Sequence, residues 1–346
     1  MKTKKWIRTW IVIVIVVLPI VGGFNYVIDP YGENNYFNYP GINEIKQDER
    51  QLKFNYLYNN NNYESVILGN SKGTIIDPSV IKKFTGLETY NASFSAGTID
   101  EFLEYTKWLI NNRNIKQLFI VFEYYALTEY NSNGRMPPKL RPNTSFKSDY
   151  FSFSKFKSSI KVILNNITFI EDLRNERKVY LDKGMRYYTK YFERQNSIEK
   201  QLEHIEFLKS AKITWLGKNI SEERINNLKE IVTLCKENNI ELFLLQTPSS
   251  YRILNINDRK NYRKLLSLIK TIALEIHPVY FFNDFNYINN NLKYFLDNNH
   301  FNYDVNELIF ERVFLDKGIG LKITPNNAYK IDTLLELERD NKLKEK

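Results

Sequence analysis

A chain of 346 residues, 43% hydrophobic and 26% charged, holds enough apolar material for a full core, so it is globular, one domain with additions rather than two equal halves. Its net charge of +9 fits an anionic partner such as a membrane surface or acidic polymer, although heavy lysine use alone produces the same figure. Cys235 is the only cysteine, which excludes an intrachain disulfide and a C-x-x-C metal site.

The chain begins with Lys2, Lys4, Lys5 and Arg8, followed by an apolar stretch from Trp10 to Ile28 broken only by Pro19, Gly22, Gly23 and Asn25. That is close to the ~20 residues that cross a bilayer as a helix. The basic flank belongs in the cytoplasm by the positive-inside rule, which places everything after Asp29 outside. A cleaved signal peptide is the competing reading, but no A-x-A site follows the run, and Gly22-Gly23-Phe24 is a poor substitute. Residues 1–31 are therefore read as an uncleaved anchor, with Trp6, Trp10, Tyr26 and Tyr31 as interfacial aromatics. An anchored body facing outward makes nucleic acid the lesser partner. Residues 32–63 read as a connector carrying one helix near Ile45 to Leu57.

From there a strand and helix rhythm begins. Ser65 to Gly69, Glu88 to Ala92 and the run from Ile115 are apolar strands, separated by helices over Pro78 to Phe84 and Ile99 to Asn111. The rhythm stops over residues 127–216, a proline-containing insertion expected to be largely helical. Its basic residues from Arg135 to Lys161 suit anionic headgroups or polymer, or else form a plain solvated face. Ser221 then caps a helix through "EERINNLKEIVTLCKENN", where Cys235 sits on the apolar face. "IELFLLQTP", a helix from Asp258 to Ile276, "VYFFND" and a helix from Val305 to Phe314 follow. Alternation of this kind predicts an α/β domain over 64–126 and 217–320, a parallel sheet with helices on both faces. Residues 321–346 read as a charged tail, from Asp332 a surface helix or disordered.

Chemistry concentrates at two places. "ESVILGNSKGT" runs an apolar strand into Gly69, Asn70, Ser71, Lys72 and Gly73, where flanking glycines allow a sharp turn and close approach to a substrate. Such a turn suits an exposed nucleophile, Ser71, and equally an ordinary strand-to-helix loop. The chain has three histidines. His204 lies in a polar helical pattern and His277 at a helix end, which makes both structural or surface groups. His300 differs, because "YFLDNNHFNYD" sets Asp297 three residues ahead of it. An aspartate there can hold Nδ1 and leave Nε2 free to take a hydroxyl proton, or simply make an Asx turn beside a surface histidine. Ser71 follows the first strand of the domain and His300 the last, so in a doubly wound sheet both reach the carboxyl edge where ligands bind.

G-N-S-K-G after an early strand, with D-N-N-H near the end, resembles the SGNH/GDSL hydrolase superfamily over Ser65 to Phe314 without the insertion. The anchor, "DPYG" and "YNASFSAGT" are similar to its extracytoplasmic, membrane-anchored branch, which includes the teichoic-acid D-alanylation and alginate O-acetylation proteins. The resemblance implies a three-layer α/β/α flavodoxin-like fold and a serine esterase or O-acyltransferase working on acyl groups of a cell-envelope polysaccharide. Ser71 would be the nucleophile, His300 the base and Asp297 its orienting acid, with no metal and no cofactor. A multi-spanning membrane O-acyltransferase is the implied partner. The family's G-x-N-D segment after the third strand is missing, since that position reads "FEYYAL". Asn91, with the Ser71 amide, is the candidate replacement in the oxyanion hole. Gly69, Gly97 and Tyr125 are candidate substrate-site residues, Tyr125 together with Glu123 and Tyr124 as a pocket wall or, as sheet-edge aromatics often are, as ordinary packing. The departure keeps a second reading open, a non-catalytic membrane-tethered binding or assembly factor.

Overall fold

The computed structural model describes residues 2–30, 42–43, 49–129, 148–166, 177–180, 182–188, 192–193, 196–210, 219–254 and 260–339. The described residues form an α/β protein with a mostly parallel mixed sheet and a long apolar helix at the N-terminus. That helix, α1 (Lys2–Ile28), is long and apolar enough to cross a membrane. The connector contributes β1 (Ile42–Asn43) and α2 (Glu49–Asn59), the latter close to the helix expected there.

The domain then alternates: β2 (Ser65–Gly69), α3 (Pro78–Thr85), β3 (Thr89–Asn91), α4 (Ile99–Asn112) and β4 (Gln117–Val121). Local chemistry sets these boundaries. Asp77 caps α3 by accepting the Ser79 N–H at 2.9 Å, Pro78 opens the helix, and Gly86 closes it at φ 73°. Thr98 and Glu101 form a capping box at the start of α4.

The insertion was expected to be helical. Its described residues do include α5 (Phe153–Asn166) and α6 (Ile198–Ser210), but between them lies the antiparallel hairpin of β5 (Arg177–Tyr180) and β6 (Met185–Tyr188). β1 pairs with β5, so connector and insertion share a three-stranded sheet. The hairpin turn lies against the main domain. Asn91 donates its N–H to Lys183 O at 2.9 Å, and a Cβ on Gly184 (φ 68°) would lie 2.0 Å from Asn91 O.

The rhythm resumes with α7 (Glu222–Glu237, capped by Ser221 as expected), β7 (Glu241–Gln246), α8 (Lys260–Glu275), β8 (Val279–Phe281) and α9 (Val305–Leu315). Beyond these, the segment read as a charged tail instead supplies β9 (Leu321–Ile323) and α10 (Tyr329–Arg339). β9 pairs antiparallel with β8, and Ile331 and Leu334 of α10 enter the core. Two apolar residues three apart on one helical face are enough for that, and the charges around them hide the pattern.

The main sheet has six strands in the order β3-β2-β4-β7-β8-β9, parallel except for β9. Alternate residues serve two cores, as period-2 side chains must. Val66, Leu68, Leu118, Ile120, Leu242 and Leu244 pack under α4, α7, α8 and α10, whereas Ile67, Phe119, Val121, Phe243 and Leu245 pack under α3 and α9. The chain steps from β2 outward to β3, then back across to β4. The carboxyl ends of β2 and β4 therefore flank the point where strand order reverses, the place where such sheets open a ligand crevice.

Candidate active site

β2 ends at that reversal, and the turn after it is packed tightly enough to need glycine. A Cβ on Gly69 would lie 2.7 Å from Val121 Cβ, and one on Gly97 would lie 2.9 Å from Gly69 O. These two glycines therefore let the loop after β3 lie directly on the end of β2, where Phe94 donates its N–H to Gly69 O at 2.9 Å. Asn70 ties the turn, its Oδ1 accepting the Lys72 N–H at 3.0 Å and its carbonyl the Thr74 N–H at 3.2 Å. Ser71, half-buried, projects from this turn, while the buried Nδ2 of Asn70 next to it has no hydrogen-bond partner among the described residues.

The second loop arrives from the far side of the sheet, between β8 and α9. Phe295, Leu296 and Phe301 bury its two arms in the core beneath α9, and the Phe295–Phe301 bridge closes it. At its tip Asp297 Oδ1 accepts the N–H groups of Asn299 and His300, each at 2.7 Å. Its other oxygen accepts Nδ1–H of His300 at 2.8 Å, and Nε2 of that ring meets Ser71 Oγ at 2.9 Å. Because a carboxylate only accepts, the Asp297 contact fixes the proton on Nδ1 and leaves Nε2 to accept from the serine hydroxyl. Burial alone would raise the Asp297 pKa. The His300 charge and hydrogen bond, with the two N–H donors, outweigh it and hold the carboxyl at about 2. The Asx turn and the serine contact, alternatives in the sequence, coexist here.

Two buried ionic groups brace this pair of loops. Lys72 Nζ lies 2.9 Å from Glu123 Oε1, at the end of β4, and also bonds Ser249 Oγ. Gln246 at the end of β7 donates to Glu123 at 3.5 Å and accepts from Asn283 after β8 at 2.5 Å, while Asn283 accepts the Ser249 N–H at 2.7 Å. The ring Lys72, Glu123, Gln246, Asn283 and Ser249 thus laces four strand ends together. Sequence reading had placed Glu123 in the pocket wall without its partner, although a lysine inside a glycine turn is itself a signal for one.

The other group comes from the connector and the insertion. Glu49 of α2 is paired with Lys53 at 3.1 Å and with Arg186 of β6. Lys53 also donates to Ser93 O, and Arg186 to Ser95 Oγ at 2.6 Å, so both cations hold the loop after β3. Two residues along β6, the Tyr188 ring lies 5.9 Å from that of His300, and its N–H donates to Tyr303 Oη at 2.6 Å. None of Glu49, Lys53, Arg186 and Tyr188 was singled out from the sequence, since nothing local marks a residue whose partners lie on other segments.

Asn91 does not have the freedom the oxyanion role requires. Its amide donates to Gly73 O at 2.7 Å and Ile76 O at 2.8 Å, and its Oδ1 accepts the Ser93 N–H at 3.0 Å. It is the staple between β3 and the turn after Ser71, because both its hydrogens already satisfy buried carbonyls. Tyr125 is partly buried against the core under α4, α7 and α8. His204 pairs at 3.0 Å with Asn298, inside the loop that carries Asp297 and His300, and His277 with Leu242 O at 3.0 Å; the hydrogen bond to Ser71 Oγ comes from His300. Among the described residues no cluster of three or more His, Cys, Asp or Glu is placed to hold a metal ion. Tyr31 and the basic residues Arg135, Lys139, Arg141 and Lys147 lie outside the described residues. The chain matches no protein-family model and no curated protein sequence.

Proposed function

We propose that this chain is a membrane-anchored serine esterase or O-acyltransferase of the SGNH/GDSL type, acting outside the cell membrane on acyl groups of an envelope polysaccharide or related polymer. The observation that carries the reading is the line Asp297, His300, Ser71, with contacts of 2.8 and 2.9 Å across loops 226 residues apart in sequence, from Ser71 to Asp297. The strand order β3-β2-β4-β7-β8 supports a flavodoxin-like arrangement, with Ser71 at the reversal.

The chemistry follows from the hydrogen bonds. His300 Nε2 takes the Ser71 proton as Oγ attacks the acyl carbonyl, and Asp297 stabilises the resulting imidazolium. The proton then passes to the leaving alkoxide, leaving an ester on Ser71. Water or a sugar hydroxyl, deprotonated by the same nitrogen, releases the acyl group. The oxyanion would meet the Ser71 N–H, whereas the Asn70 amide beside it is buried and not presented to a substrate. A multi-spanning O-acyltransferase that brings acyl groups across the membrane is the partner this reading calls for.

A specific observation favours the alternative, a non-catalytic binding or assembly factor. Where the family has G-x-N-D, this chain has Glu123, whose carboxylate faces Lys72 and offers no donor. The deciding experiment treats the full chain in detergent with p-nitrophenyl acetate, alongside Ser71→Ala. A burst with a mass increase of one acetyl on Ser71, lost in the variant with turnover down at least ~10⁴-fold, supports catalysis. Equal inertness of both chains toward acetyl and longer acyl esters supports the binding factor.

A further inference from the structure

We propose that α5, inside the insertion, is a lipid-contacting helix seated in the outer leaflet beside α1; the inference rests on the reading of α1 as a membrane anchor. The distances require it. After Arg8 the uncharged run of α1 extends from Thr9 to Ile28, about 20 residues or ~30 Å of helix, which is the thickness of the hydrocarbon layer. The whole run is needed to cross. Up to Ile20 this run stands bare on every face, from Thr9 through Pro19 and Ile20. Over the last two turns one side is covered by protein, while Gly23, Tyr26 and Val27 on the other stay exposed. Gly22 packs on the Phe151 ring and Phe24 on Phe156, 5.3 Å between centroids. Asn25, fully buried, donates to Tyr150 O at 2.5 Å and accepts from Ser159 Oγ at 2.9 Å. A polar side chain satisfied in this way by α5 and the turn before it fixes α5 at the level of Gly22 to Asn25, within the span.

What α5 presents at that level is apolar. Its Ser159 and Lys155 face inward, Lys155 over the Tyr150 ring at 3.7 Å. Phe153, Ile160, Ile163 and Leu164, spaced at helical intervals on one face, are exposed, Phe153 at 77%, and Phe151 continues the patch. Exposed Lys157 lies at the border of this face, where a lysine reaches anionic headgroups while its stem stays apolar. Such a patch in water is unfavourable. Held against the last turns of the apolar α1 helix, it is given acyl chains as its occupant. The sheet edge bearing Ser71 would thus be attached to the membrane by two elements rather than a single flexible tether.

The test places nitroxide labels on the full chain in vesicles of phosphatidylcholine and phosphatidylglycerol. Cys235 is buried and its thiol is pushed up to about 12 by burial, so introduced cysteines label selectively. Val14→Cys, Ile160→Cys, Leu164→Cys and Tyr329→Cys are compared for collision with oxygen, which enters lipid, and with a nickel chelate, which stays in water. The expected result is that Ile160 and Leu164 resemble Val14, with an oxygen-to-nickel ratio several-fold above that at exposed Tyr329. Water-like values at both positions, with Val14 in lipid, overturn the inference and leave the anchor standing. Protection from both agents overturns it in favour of a protein partner or a second copy. A water-like Val14 removes the anchor reading itself, and this inference with it.

Discussion

Toward β4 and β7 the Ser71 turn is braced by Lys72 against Glu123, one cation and one carboxylate; toward β3 the neighbouring loop is braced by two cations, Lys53 and Arg186, against Glu49 as the one carboxylate paired with them among the described residues. The first group is assembled by strand ends that the sheet already brings together. The second joins three separate segments, and it carries a surplus positive charge. Burial would raise the Glu49 pKa, but Lys53 and Arg186 together pull it down to about 2. Burial also drives Lys53 down to about 8, where Glu49 resists and Arg186 adds to the fall. A balanced pair holds a turn in place, and an unbalanced triad makes one member indispensable.

That member is Glu49. Glu49→Leu leaves two buried cations facing each other, and the expected loss is ~3–5 kcal/mol, read from urea unfolding of the full chain in detergent. A smaller loss than that of Lys72→Met would mean the triad is not the unbalanced group. Lys72→Met strands Glu123, which is partly exposed, so ~2–3 kcal/mol is expected. Adding Glu123→Leu should recover much of it, as a double-mutant cycle measures. Additive losses would show that the two side chains act separately.

The same contrast explains what could be read in advance. The juxtaposition of Ser71 with Asp297 and His300 was legible because the G-N-S-K-G turn follows β2 directly and the D-N-N-H loop lies between β8 and α9, and parallel strands send such connections to one edge. The strands themselves followed from apolar runs, and α3, α4 and α7 from their caps. Arg186 was not legible. It lies on a four-residue strand in a segment without periodicity, and its partners are Glu49 and Ser95, 137 and 91 residues away. Asn91 failed differently. Its position after β3 was right for a donor, but position says nothing about whether the hydrogens are already used.

Arg186→Met sharpens the comparison further, because it removes a cation and leaves Glu49 and Lys53 as a neutral pair. The stability loss should be ~1–2 kcal/mol, from the lost bonds to Ser95 and Tyr188. On the proposed esterase reading, the acylation rate of Ser71 falls as well, since the loop after β3 packs on Gly69 and Gly73. Arg186→Lys should restore part of the stability and less of the rate, because a single ammonium cannot bond Glu49 and Ser95 through one nitrogen and Tyr188 through another as the planar fork does. Unchanged acylation in both variants would confine the triad to a purely structural role.

The smallest effect separates the two groups by pH alone. Lys53 has a folded-state pKa of about 8, below its ordinary 10.5. Between those values the unfolded chain therefore binds more protons than the folded one, and stability rises with pH as the folded protein discharges a buried ammonium. From pH 7 to pH 9 the gain attributable to Lys53 is about 1 kcal/mol, and Lys53→Met should abolish it. Arg186→Met should shrink it too, since one of the charges depressing Lys53 is gone while Glu49 remains. The quantity to measure is the difference in unfolding free energy between wild type and each variant across that range, which cancels groups titrating elsewhere. Parallel curves for all three chains would show that the surplus charge near β3 is neutralised by something other than Glu49. Curves that diverge in this order would establish that the connector and insertion hold the Ser71 edge under an electrostatic load that the strand-built pair does not bear.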